Sequence, residues 1–209
     1  WGAMIYYDYP PKNESIIQEI LPHQLRLFQI NYLIASPRHA RPEWQKFEQI
    51  SNYAHEGVDT PYYLYRVGNA SLVEVITKVP RVVSDSSWKE ESLKWFFSSA
   101  IEREILVDEP VPETLGTSED SIEVVEQSVR QDNIRLRVTA EKEVPILVKI
   151  SYFPNWKAYE NGVPIKIYRT SPDLMLIYAR GDVELRYEQL PIDILSEWLS
   201  VLGVVIFAL

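Results

Sequence analysis

The end of the chain constrains its fold most strongly, because it carries no charged residue from Trp198 through Leu209. A helix that crosses a bilayer needs about 20 apolar residues, more than this run supplies. Tryptophan is enriched where membrane helices enter the interface, which suits Trp198 as an anchor. We therefore predict that residues 191–209 begin a transmembrane helix that the end of the sequence cuts. A last core helix of a water-soluble domain is the alternative.

The composition is that of a folded protein and argues against several classes of partner. Of the 209 residues, 46% are hydrophobic and 24% are charged, which are ordinary values for a globular chain. The formal net charge of -9 disfavours nucleic acid and anionic membrane surfaces, because both require clustered Lys and Arg. The chain has no cysteine, which excludes disulfides, thiolate metal sites and cysteine nucleophiles. The first residues lack the features of a signal peptide, so we expect an internal start.

Residues 1–106 mix helical and strand patterns, which predicts an N-terminal α+β module of the mixed α/β type. Asparagine, proline and glycine mark the expected boundaries of its elements. We expect a helix over 13–21 that Pro22 ends, a buried strand over 30–35, an amphipathic helix from Pro42 with Trp44, Phe47 and Ile50 on one face, a hairpin of 62–67 with 71–77, and a helix over 88–101.

The second half reads as strands alone. After an acidic connection over 107–120, residues 134–140 alternate apolar and polar side chains, and 145–152 form a continuous apolar strand. Asn161-Gly162 supplies the positive φ angles of a tight hairpin turn. Short strands separated by turns predict an antiparallel β-sandwich over 121–190. The predicted fold class is thus α+β, a mixed module followed by a β-sandwich and the start of a membrane helix.

The sequence contains no recognisable catalytic or metal-binding motif. His23, His39 and His55 are the only histidines, and none has the spacing of a zinc site. No nucleophile elbow, phosphate loop or dinucleotide fingerprint occurs. We therefore predict no metal, no cofactor and no catalytic residue in this segment.

Aromatic side chains in the β region suggest a binding surface of another kind. Trp156, Tyr159 and Tyr168 are candidates for a flat platform that stacks on sugar rings. The alternative is structural, with Trp156 filling the core beside Phe153 and the tyrosines covering sheet edges. Asn13-Glu-Ser15 and Asn69-Ala-Ser71 match the acceptor pattern for N-glycosylation, which matters only outside the cytoplasm.

Two passages resemble a known family. The segments 25–35 and 63–74 resemble the large extracytoplasmic part of YfhO-type membrane proteins. The segment 151–165, with Pro154-Asn-Trp156 and the Asn161-Gly162 turn, resembles their C-terminal β module, in which glycine usually occupies the position of Asn155. The chain is also similar to the soluble tail of the membrane family labelled pyruvoyl-tetrahydropterin synthase-related.

These families resemble GT-C glycosyltransferases, multi-pass proteins that transfer sugar from a polyprenyl-phosphate donor outside the cytoplasm. The resemblance implies a cell-membrane protein whose catalytic carboxylate lies upstream of Trp1. It implies an extracytoplasmic accessory domain here, with the membrane-embedded remainder of the same protein as partner and a glycan or lipid-linked sugar as a further one. The alternative is a carbohydrate-binding or purely structural β-sandwich domain.

Overall fold

A computed structural model of the chain describes residues 14–35, 47–53, 62–112 and 122–207. These residues form four α-helices, one 3₁₀ turn and fourteen strands, which makes the chain an α+β protein as predicted. They divide into two units: unit 1 comprises residues 1–72, 77–111 and 170–172, and unit 2 comprises 73–76, 112–169 and 173–209. Each unit is described separately below.

Unit 1 contains three helices and most of the early strands. A three-stranded antiparallel sheet has the order β1-β3-β2, and β5 runs parallel to β6. The elements are α1 (Glu14–Leu27), β1 (Tyr32–Ala35), β2 (Glu48–Tyr53), β3 (Tyr62–Arg66), β5 (Val79–Val82), a 3₁₀ turn (Asp85–Ser87), α2 (Trp88–Phe96), α3 (Ala100–Arg103) and β6 (Glu104–Val107).

Unit 2 contains antiparallel sheets and the terminal helix. A five-stranded sheet has the order β11-β10-β14-β8-β7, and β9 pairs with β4 on one side and β13 on the other. The elements are β4 (Val73–Val75), β7 (Glu123–Val129), β8 (Asn133–Thr139), β9 (Val144–Ser151), β10 (Trp156–Glu160), β11 (Val163–Ile165), β12 (Ile167–Thr170, whose last residue belongs to unit 1), β13 (Leu174–Ala179), β14 (Asp182–Tyr187) and α4 (Pro191–Phe207).

Buried apolar and exposed polar side chains alternate along the central strands of the five-stranded sheet. Along β8, Ile134 and Leu136 are completely buried, whereas Arg135 and Arg137 point to solvent. The arginines pair across the ladder with acids of β14. There the Arg186 guanidinium, with Asn133 and Arg135, lowers the pKa of Glu184 to about 2. This β-sandwich-like region therefore has one apolar and one charged face, as the alternation predicted.

Four local predictions are wrong. The strand expected over 30–35 forms as β1, but it is not buried as predicted, since Tyr32 and Ile34 are 56% and 70% exposed.

The helix α1 does not end at Pro22 but continues to Leu27. A proline inside a helix costs about 3 kcal/mol, and the burial of Ile20, Leu21 and Leu25 offsets that cost because each buried aliphatic side chain contributes about 1.5 to 3 kcal/mol.

The amphipathic helix expected from Pro42 is also contradicted over its described part. Glu48–Tyr53 is the strand β2, paired with β3, and Trp44 lies outside the described residues. Phe47 packs with Leu25, Ala35 and Tyr65 in a core cluster. Tertiary pairing overrides the helical spacing here, and Phe47 is buried at the bend just before β2 begins.

The expected hairpin of 62–67 with 71–77 does not form. The strand β3 pairs with β1 and β2, whereas β4 pairs with β9. The segment between β3 and β4 contains no strand residue, so it connects two sheets instead of turning back within one. The predicted helix over 88–101 is observed as α2 and α3 with a short break between them.

The Asn161-Gly162 turn is confirmed and yields a prediction. Asn161 and Gly162 have φ angles of 50° and 82°, as a two-residue hairpin loop requires. A Cβ atom at Gly162 or at Gly68 would meet nothing within 4 Å, but only Gly162 of the two has a positive φ. Gly162→Ala should therefore lower the free energy of unfolding by about 1 to 2 kcal/mol through backbone strain, measured by urea denaturation.

Gly68→Ala is the matched control for that measurement. It adds the same methyl group in open space without the strained backbone. The free energy of unfolding of this variant should therefore be unchanged or about 0.4 to 1 kcal/mol higher. Equal destabilisation by the two substitutions would contradict the turn assignment.

Candidate functional site

The terminal helix α4 begins at a capping arrangement that its sequence encodes. Pro191 occupies the first helical position, where proline's missing N–H costs nothing. The Asp193 carboxylate accepts a hydrogen bond from the backbone N–H of Leu190 at 2.8 Å. This contact is the acidic half of a capping box. The start of α4 is therefore fixed at Leu190-Pro191.

Asn155 ties this first turn to the β region. Its side-chain amide donates to the Glu188 carbonyl at 3.0 Å and to the Asp193 carboxylate at 2.8 Å. The backbone carbonyl of Asn155 accepts a hydrogen bond from the backbone N–H of Glu188 at 2.9 Å. A glycine at this position would have no side chain to make the first two bonds. Asn155 thus holds the turn before β10 against the start of α4.

A second link joins β10 to the segment before α4. The Tyr159 hydroxyl donates to the Glu188 carboxylate at 2.9 Å, and the Arg186 guanidinium lies 5.0 Å from the centre of the Tyr159 ring. The hydrogen bond to Glu188 raises the pKa of Tyr159. Gln189 donates to Glu197 at 2.7 Å. Residues 188–197, which we call the root of α4, are therefore held by polar contacts on several sides.

Beyond its root, α4 is apolar and exposed. Trp198 and Val204 are each 70% exposed and Phe207 is 95% exposed. The described side chains of α4 that follow Glu197 are all exposed. The exposed apolar side chains of α4 are Ile192, Ile194, Leu195, Trp198, Leu199, Val201, Leu202, Val204, Ile206 and Phe207.

These apolar side chains surround the helix instead of lining one face. Successive residues turn by about 100° in an α-helix, so the consecutive pairs Trp198-Leu199 and Val201-Leu202 already cover widely separated directions. A helix that is hydrophobic on all sides is normally buried in a large core or in a membrane. The surroundings that would bury α4 are not supplied by the described part of its own chain.

The polar groups within this apolar run are satisfied inside the helix. The Ser196 hydroxyl donates to the Asp193 carbonyl at 2.7 Å, and the Ser200 hydroxyl donates to the Ser196 carbonyl at 2.8 Å. Such internal bonds remove the need for water. They make these positions of α4 compatible with an apolar solvent.

The described length of α4 is less than a full membrane span. Its 17 residues extend about 26 Å at about 1.5 Å per residue, against about 30 Å for a hydrocarbon core. Within the described residues, no helix meets both the length and the apolarity needed to cross a bilayer.

The structure does not bring the three proposed platform residues into one exposed plane. Trp156 is 6% exposed and packs edge-to-face against Tyr187, with ring centres 5.4 Å apart. Tyr168 is 9% exposed and packs in the same way against Tyr178. Of the three residues, only Tyr159 is partly exposed, and its side chain is half-buried. Trp156 fills the core as the structural alternative proposed, but beside Tyr187, because Phe153 is half-exposed.

A small groove lies beside β10 and β11. It has a volume of about 280 Å³ and is lined by Pro154, Lys157, Tyr159 and Pro164, among others. Typical ligand pockets have volumes of about 300 to 1,000 Å³. The Lys157 ammonium donates to the Pro154 carbonyl at 2.9 Å, so it is already used within the lining.

Metal-binding geometry is not found in the described residues. No group of three or more His, Asp or Glu side chains in that part of the chain converges on a point. The imidazole of His23 lies 3.4 Å from the Glu102 carboxylate. His39 and His55 lie outside the described residues.

The membrane-anchor role of Trp198 stays a prediction, and sequence reasoning missed the residues that orient its helix. Asn155 and Asp193 are ordinary polar residues in sequence, and their contact spans 38 positions. The Leu190-Pro-Ile-Asp193 pattern would have revealed the cap, because proline followed by an acid marks a first helical turn. Nothing local could have indicated the bond from Asn155.

Comparisons with known proteins add no family to this description. No protein-family model matches the chain, and neither the curated proteins nor the solved structures give a significant match. The candidate site is therefore argued from its own geometry.

The Tyr159–Glu188 bond gives a prediction in alkaline solution. Because its folded-state pKa is raised, Tyr159 contributes stability that is present below its ordinary pKa of 10.0 and is lost as the pH rises through the folded value. Glu188→Gln removes the carboxylate charge, so the Tyr159 pKa should fall towards 10.0. Carbon NMR of labelled tyrosines measures it, with Tyr159→Phe to assign the signal. An identical titration of Tyr159 in both proteins would contradict the contact.

Removal of residues 198–209 tests whether α4 contributes to the fold. The truncated chain keeps the Asp193 cap and the Gln189–Glu197 bond, and the described side chains that it loses are all exposed. Its free energy of unfolding should therefore change by less than about 0.5 kcal/mol. Association should decrease, because an exposed apolar patch is lost. Thermal denaturation and sedimentation velocity measure the two effects, and a large loss of stability would show that the helix belongs to the core.

Proposed function

We propose that this chain is an extracytoplasmic accessory domain of a multi-pass membrane protein and that α4 leads into the bilayer. The observation that supports this proposal is the exposure of an all-round apolar helix whose root is polar and anchored. The partner of α4 is then lipid together with the membrane-embedded remainder of the same protein.

The distribution of apolar side chains favours a membrane over a protein groove. A helix that binds a groove presents one apolar stripe and keeps its other face polar. After Glu197, α4 has no charged residue on any face. The internal bonds of Ser196 and Ser200 remove the remaining demand for water. Lipid is therefore the environment that fits every side of this helix.

The charges at the root set the depth of insertion. A carboxylate such as Asp193 at the centre of a membrane helix costs about 2.5 to 3.5 kcal/mol, whereas each Leu, Ile, Val or Phe contributes about 0.3 to 0.6 kcal/mol to insertion. Asp193 and Glu197 then lie at the water side, where Asn155 and Gln189 bond them. Trp198, the next residue, occupies the interface.

The distribution of basic residues supports the extracytoplasmic side. Cytoplasmic flanks of membrane helices are enriched in Lys and Arg. Here the nearest basic residue before α4 is Arg186, and none follows it through Leu209. The flank that carries this domain therefore lacks the signal that retains a segment in the cytoplasm.

The type of membrane protein is part of the same proposal and rests on the resemblance to YfhO-type and GT-C proteins. The whole protein would transfer sugar from a polyprenyl-phosphate donor, with catalysis outside this segment. The domain would dock on the transferase core or help to seat the acceptor. An independent sugar platform gains no support, because Trp156 and Tyr168 present almost no surface.

Flotation with phosphatidylcholine vesicles tests the membrane assignment. The full chain should float with the vesicles, and Leu202→Asp should weaken partitioning by about 100-fold, because it exchanges a favourable side chain for a costly carboxylate. Leu202 is 53% exposed, so the substitution leaves the core intact. Brominated lipids that carry bromine near the glycerol region should quench Trp198, as judged against Trp198→Phe.

Leu93→Asp is the matched control for this experiment. Leu93 is 48% exposed on α2, so the same chemical change occurs on a helix outside the proposed contact. Partitioning of the Leu93 variant should equal that of the unchanged protein. If both aspartate variants float equally well, α4 is not the membrane contact.

A further inference from the structure

The acceptor pattern Asn69-Ala-Ser71 lies in an exposed connection of unit 1. Asn69 and Ser71 are both exposed, and residues 67–71 form neither helix nor strand. The intervening residue is alanine, and proline is the residue that disqualifies the pattern. The side chain of Asn69 is therefore accessible in the folded domain.

The backbone of this connection is held from one side. Asn31 accepts from the Ala70 N–H at 2.6 Å and donates its side-chain amide to the Ala70 carbonyl at 3.1 Å. The backbone N–H of Val67 donates to the Asn31 carbonyl at 2.9 Å. Asn31 thus uses both atoms of its amide on the residue between Asn69 and Ser71 and leaves the two pattern residues at the surface.

The side-chain amide of Asn69 takes part in none of the described hydrogen bonds. Each of the other asparagines whose side chains the structure describes is bonded to a distant part of its unit. Asn31 bonds Ala70, Asn133 bonds Glu184, Asn155 bonds Glu188 and Asp193, and Asn161 bonds Asp182. Within this described set, Asn69 is the asparagine that neither the fold nor the root of α4 explains.

We propose that Asn69 is a site of N-linked glycosylation, an inference that rests on the proposed extracytoplasmic location. The donor class is an oligosaccharide carried on a polyprenyl diphosphate. The Asn69 amide nitrogen forms a bond to the first sugar carbon and releases one proton to the solvent, while the bond from that carbon to the diphosphate oxygen breaks. The polyprenyl diphosphate leaves with the bonding electron pair. The Ser71 hydroxyl completes the acceptor pattern.

Expression of the full chain behind a cleavable secretion signal in a glycosylating host tests this site. A linker before Trp1 carries an independent Asn-Ala-Thr acceptor, whose glycan shows that the chain was translocated. Trypsin then releases residues 67–78, which contain Asn69 as their only asparagine. This peptide should carry a glycan mass that a peptide glycosidase removes, converting the acceptor asparagine to aspartate.

Two substitutions at Ser71 separate the site from the rest of the loop. Ser71→Ala should abolish the glycan on the 67–78 peptide, whereas Ser71→Thr keeps the hydroxyl and should retain it. An unmodified 67–78 peptide in a chain whose linker acceptor is glycosylated would overturn this proposal. Vesicle flotation is measured separately on the chain without the signal, so a missing glycan at Asn69 is distinguishable from a failure of the membrane assignment.

Discussion

The cost of exposing α4 to water is the constraint on which the functional interpretation depends. A fully buried Leu, Ile, Val or Phe side chain contributes about 1.5 to 3 kcal/mol relative to an exposed one, and α4 exposes apolar side chains from Ile192 to Phe207. Only a few hundred Å² of apolar patch is normal on a monomeric protein. Some other apolar environment must therefore take up this surface. The all-round pattern supports the proposal that lipid and neighbouring membrane helices, and not a one-sided protein groove, take it up.

As the membrane helix that we propose, α4 requires a defined connection to its domain. Here the connection consists of the Asn155 bonds to Glu188 and Asp193, the capping bond from Leu190, and the Tyr159–Glu188 bond. The strands behind these contacts are well buried, since Ala158 and Leu185 lie in the core. The first turn of α4 is thereby attached to a rigid sheet, and the apolar turns that follow inherit its direction.

Patterns within one element could be predicted from sequence, whereas pairings between distant elements could not. The alternation of Ile134, Arg135, Leu136 and Arg137 predicted a half-buried strand, and the Asn161-Gly162 dipeptide predicted its turn, because both depend on neighbouring residues. The apolar run from Trp198 predicted the start of a membrane helix, and the structure has an exposed helix at this position. Each of these signals is contained in the element that it describes.

The wrong predictions concern which strands pair, and this depends on contacts between residues that are far apart in the sequence. The segment after Gly68 was expected to pair with β3, but Glu74 of β4 accepts a hydrogen bond from Lys149 at 2.7 Å. The Lys149 side chain is completely buried. A buried charge left without a partner costs several kcal/mol, so this contact opposes any pairing that separates Glu74 from β9. The spacing between Glu74 and Lys149 carries no sequence signal. The same holds for the bond between Asn155 and Asp193, so the contacts that orient α4 could not be predicted from the sequence.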